Sequence, residues 1–69
     1  MDCPVDQLFR DLAISEGEDV NEFLAIAADL KKSGYKNLTK IRNHLNEEHA
    51  AKHGLNECNF VALTEILNQ

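Results

Sequence analysis

Tryptophan is absent from this chain, proline occurs once, tyrosine once, and the two cysteines stand far apart at Cys3 and Cys58. Neither cysteine belongs to a C-x-x-C pair, so the sequence carries no disulfide framework and no zinc knuckle, and reduced thiols are expected. Nor does any run approach the 18 apolar residues of a membrane span. The opening MDCPVDQL has neither the basic start nor the apolar core of a secretory leader, and the expectation is a cytoplasmic protein with no membrane partner.

Chemical signatures are also missing. No G-x-S-x-G, P-loop or H-E-x-x-H pattern appears. A helical chain of 69 residues leaves little room for a catalytic pocket with supporting residues behind it. The expectation is a non-enzymatic protein without a cofactor.

What the chain does contain is helical periodicity. At 69 residues it is read as a single domain, of a size that buries only about 60% of its unfolded surface. Val5, Leu8, Phe9 and Leu12 recur at i, i+3, i+4 and i+7, which puts them on one helical face, and Pro4 suits a first helical position. Gly17 supplies a stop. Asp19 with Glu22 forms a capping-box pattern for a second helix, which turns Val20, Phe23, Ile26, Ala27 and Leu30 inward.

The segment LKKSGY has the form of a Schellman stop at Gly34, with Tyr35 folding back on Leu30. Asn37 then caps a third helix, whose apolar stripe is Leu38, Ile41 and Leu45 and which runs to a second such stop at Gly54 and Leu55. Asn56 or Asn59 caps a last helix with Phe60, Leu63 and Leu67 inside. The predicted fold is all-α, a small bundle of about four short helices, without β-type alternation, repeat or linker.

All three histidines lie in KIRNHLNEEHAAKH, residues 40 to 53. On a continuous helix His49 and His53 fall roughly 140° and 180° from His44, so the three cannot share a face. His49 and His53 alone have the i, i+4 spacing at which two imidazoles can meet one Zn²⁺, and only Glu57 or Cys58 stand near enough to complete a site. Helix-end histidines facing free carbonyls are the stronger reading, with His49 partly packed and Glu48 paired to Lys52. No metal is expected.

The charge distribution carries more information than the net value of −5. Residues 1 to 30 sum to −7, residues 31 to 46 to +5 without a single acid, and residues 47 to 69 to −3. Lys31 and Lys32 complement the dipole at the end of the second helix, whereas Lys36 and Lys40 stand at the start of the third, where cations are unfavourable. A solvated face is the plain reading of these two lysines, and binding of an anionic surface is the other.

Two anionic partners fit such a run. The first is another protein, steered by the basic turn and contacted through Tyr35, Lys36, Lys40 and Arg42, residue types that include the common interface anchors. The partner-binding set then spans Lys31, Lys32, Tyr35, Lys36, Thr39, Lys40, Arg42, Asn43 and Asn46. A second copy also fits, because the acidic first half complements the basic middle, and a homodimer is one expectation. The acidic stripe Asp11, Glu16, Glu18, Asp19 and Glu22 is a further contact candidate, for a basic site.

The second partner is DNA. Helix, glycine-containing turn and helix over residues 20 to 46 resembles a helix-turn-helix, with Thr39, Arg42, Asn43 and Asn46 offered to base edges and Lys31, Lys32 and Lys36 to phosphates. Against it, aligning Gly34 with the turn glycine leaves Lys40 and Asn43 where the motif buries apolar residues. The leading expectation is therefore a small acidic helical protein that regulates or inhibits a partner protein by binding it.

Overall fold

A computed structural model describes residues 3–68. Asp2, one of the acids counted above, lies outside them. The described residues form five helices: α1 (Pro4–Glu16), α2 (Val20–Lys32), α3 (Leu38–His44), α4 (Glu47–Lys52) and α5 (Glu57–Leu67). No strand occurs among the described residues.

Local chemistry accounts for nearly every helix boundary. Four helices begin at a side-chain cap: Asp19 Oδ1 accepts from the N–H groups of Asn21 and Glu22, and Asn37, Asn46 and Asn56 each accept at 2.8 Å from the N–H three residues on. These caps satisfy donors that a helix start leaves orphaned. Three helices end in one grammar, in which Glu18, Tyr35 and Leu55 each donate back to the carbonyl five residues earlier, those of Ala13, Leu30 and Ala50. The glycine that precedes each donor has positive φ, as this closing bond requires.

The third helix is where expectation and structure part. Residues 38 to 53 are two helices, because Leu45 takes an extended conformation with ψ 128° and Asn46 recaps the chain. Leu45 still buries its side chain, so the apolar pattern survives while the axis changes direction. Glu48 and Lys52 share α4, but no ion pair joins them.

The core draws on every helix. Val5, Phe9, Leu12 and Ala13 of α1 are fully buried, and meet Phe23, Ala27 and Leu30 of α2, Ile41 and Leu45, Ala50, Leu55 and Leu63. Each large apolar side chain so placed contributes about 1.5–3 kcal/mol. Helix α1 packs most extensively on α2 and next on α5, which makes it the central element.

Val20, Ile26, Phe60 and Leu67, expected inside, are half-buried and close the core's margin. Leu38, also expected inside, is 37% exposed. It is the first residue of a seven-residue helix that packs only lightly on α5, so its side chain reaches the rim of the core and not its floor. Asn59 is the one buried polar residue among those described, and no buried side-chain nitrogen or oxygen lacks a partner. No helix among the described residues is long and apolar enough to cross a membrane.

Candidate functional site

The basic segment 31 to 46, read from the sequence as one surface, is distributed by the fold among five environments. Lys31 leaves the surface set first: its Nζ donates to Asp6 Oδ1 at 2.8 Å, tying the end of α2 to the start of α1. This hydrogen bond is the main reason that the Lys31 ammonium titrates above the usual lysine range, with partial desolvation working against it. Asn46 is committed to capping α4 through His49 N–H. Lys32, Lys36 and Asn43 are exposed.

The remaining residues separate onto two faces of α3. Lys40 and His44, four residues apart, line a shallow notch of about 310 Å³ beside Ser33, Gly34 and the half-buried Tyr35. Leu38, Thr39 and Arg42 instead line a groove of about 440 Å³ that α3 forms with α1 and α5. The basic turn and the groove are thus neighbouring but separate surfaces.

The groove has the composition of a docking seat. Leu8, Leu38, Ile66 and Leu67 make its apolar lining, while Gln7, Asp11 and Arg42 supply polar groups. Asp11 is held by Gln7, whose Nε2 donates to its Oδ1 at 2.9 Å. Beyond Arg42 and Leu67 the groove continues into a smaller cleft of about 190 Å³ that reaches Ile41, Leu45 and Leu63. An apolar floor with a few fixed polar groups at its edge suits the side chains of an incoming helix or peptide.

Of these groove residues, sequence reasoning named Thr39 and Arg42, and Asp11 within the acidic stripe, as contact candidates, and missed the rest of the α1 wall and the α5 wall. The available signal was weak: Ile66 and Leu67 are adjacent, and a single helical face cannot bury both fully. Both are half-buried.

The histidines take no common ligand. His49 is exposed, where partial packing was expected, and its Nδ1 lies 3.1 Å from the Tyr35 hydroxyl. His53 is half-buried, with Nδ1 paired to the carboxylate of Asp29 across the interface between α2 and the end of α4. The two rings are therefore engaged by different partners on different elements. Glu57 and Cys58 line another groove, with Glu16 and Val61. Among the described residues, no group of three or more histidine, cysteine or acidic side chains is arranged to hold a metal ion.

The structure thus defines a small single-domain helical bundle with an apolar groove and a separate basic notch. No protein-family model, curated protein or solved structure matches the chain.

Proposed function

We propose that this chain is a non-enzymatic regulator that acts by binding a partner protein and covering its surface, with the partner seated in the groove between α1, α3 and α5. The observation that carries this reading is the exposure of Leu38 beside Ile66 and Leu67 in a groove whose rim holds Arg42. An amphipathic helix suits it, laying apolar residues at i, i+3 or i+4 spacing on the floor and an acidic residue against Arg42. Lys32, Lys36 and Lys40, exposed on the adjoining turn, would speed encounter with an acidic partner.

DNA is the alternative partner for the same segment. A recognition helix needs its specificity residues free to enter the major groove. The place of Thr39 and Arg42 against α1 and α5, the commitment of Asn46 to a cap and the short span of α3 favour the protein reading.

Selection from a displayed library of helical peptides tests it. Enriched peptides should share spaced apolar anchors and an acid, and should lose binding to Leu38→Asp and to Arg42→Glu while the helical circular-dichroism signal of both variants persists. Enrichment indifferent to both substitutions sinks the groove assignment. Mixed-sequence duplex DNA is the parallel arm, because binding that weakens steeply with salt would report phosphate contacts and move the function to nucleic acid.

A further inference from the structure

We propose that copies of this chain associate head to tail, the basic turn between α2 and α3 of one copy docking on the acid-rimmed outer face of α5 of the next. On α5, Glu57, Val61 and Glu65 recur every four residues and share one face. With Glu16 from the end of α1 they line a groove of about 310 Å³ that contains three carboxylates and no cation. Val61, midway between Glu57 and Glu65, is 51% exposed and supplies an apolar group to this groove. Among the described residues, no ion pair engages any of the three carboxylates.

The complementary surface is on the same chain. Lys32, Lys36 and Lys40 are exposed and have no acidic partner among the described residues; Lys40 lines the notch where Tyr35 presents its half-buried ring, and Lys32 and Lys36 flank its Ser33–Tyr35 wall in sequence. Each surface therefore combines an apolar centre with a rim of one charge, and the two signs are opposite. The placement of Lys36 and Lys40 at the start of α3, against its dipole, has no explanation inside the monomer. A carboxylate rim arriving from outside supplies one.

The two surfaces share no lining residue, and no ion pair among the described residues joins them. Contact between unlike patches is heterologous. It generates open chains or rings, in place of the closed two-fold dimer that the charge balance alone also allowed. This association is independent of the α1–α3–α5 groove, whose lining it leaves uncovered.

Sedimentation velocity across a concentration series, at about 50 mM and about 500 mM salt, reads the prediction, since an association held by exposed charge is screened at the higher value. The parent protein should grow beyond dimer with concentration at low salt and revert toward monomer at high salt. Two double variants at exposed positions test the polarity: Lys36→Gln with Lys40→Gln, and Glu57→Gln with Glu65→Gln. Each alone should associate at least about tenfold more weakly. Mixed in equal amounts they should form a 1:1 dimer that grows no further, because each retains the one surface that the other lacks. A parent that is monomeric throughout, a parent that stops at a closed dimer, or a mixture no heavier than its components overturns the proposal.

Discussion

The ammonium of Lys31 and the carboxylate of Asp6 meet at 2.8 Å across 25 residues of sequence, joining the last turn of α2 to the first turn of α1. Both side chains are about one third exposed, so the contribution to stability is modest. Its pH dependence has a definite sign. A lysine whose folded pKa is raised stabilises fully below its unfolded value of 10.5 and loses that contribution as pH climbs through the higher folded value. Asp6→Asn should therefore lower the urea midpoint by a constant amount between about pH 7 and about pH 9. The gap to the parent should then close above pH 10.5. A gap unchanged at high pH would mean that the variant acts through something other than Lys31.

Asn46 separates capping from recognition. Its Oδ1 accepts from His49 N–H at 2.8 Å, and loss of such a cap costs about 1 kcal/mol. Asn46→Ala should lower the melting temperature by about 4–8 °C in a domain of this size. Asn43→Ala, at an exposed position of α3, should leave it nearly unchanged. Equal effects at the two positions would contradict the break between α3 and α4.

Gly34 and Gly17 both have positive φ, but the values differ. Gly17, at φ 67° and ψ 28°, lies near the left-handed region that asparagine tolerates, whereas Gly34 at φ 106° lies beyond it. A Cβ at either site would meet nothing within 4 Å, so the cost of substitution is backbone strain and not collision. Gly34→Val should destabilise by about 1–3 kcal/mol, and Gly17→Asn by clearly less. Chemical denaturation of the two variants checks the order.

Truncation in the core should follow burial and not residue size. Leu30 is fully buried where α2 meets the rest of the bundle, and Leu30→Ala should cost about 2–5 kcal/mol. Phe9→Ala, also at a fully buried position, should cost about 3–5 kcal/mol. Phe60 is half-buried, so Phe60→Ala should cost less than Phe9→Ala despite the same chemistry. Reversal of that order would show that α5 packs more deeply than described.

Helix punctuation was legible because its causes are local. Asp19 and Asn37 are read as caps from their own neighbours, Asn56 is one of two candidates with Asn59 and is the one that caps α5, and the turn at Gly34 and Tyr35 closes on Leu30 as the LKKSGY pattern predicts. The break at Leu45 and Asn46 escaped because Leu45 satisfies the apolar period of one long helix as well as the core position of an extended residue. A local signal was nevertheless present: Asn46 followed by Glu47 and Glu48 repeats the cap and acidic first turn of Asn56 and Glu57.

The groove was not legible, because its walls come from residues as distant as Gln7 and Leu67 and only packing brings them together. The same limit hid the fate of Lys31, whose partner lies in another helix. Charge segregation pointed to a binding segment, and the fold divided that segment between a notch and a groove.

The most direct test of the groove reading is site-specific photo-crosslinking in the native cell, with the reactive side chain placed at Thr39 in the groove or at Glu48 on the exposed face of α4. The account predicts one discrete protein adduct from position 39, lost when Leu38→Asp is added, and none from position 48. Equal adducts from both positions, or a nucleic-acid adduct from position 39, would contradict it.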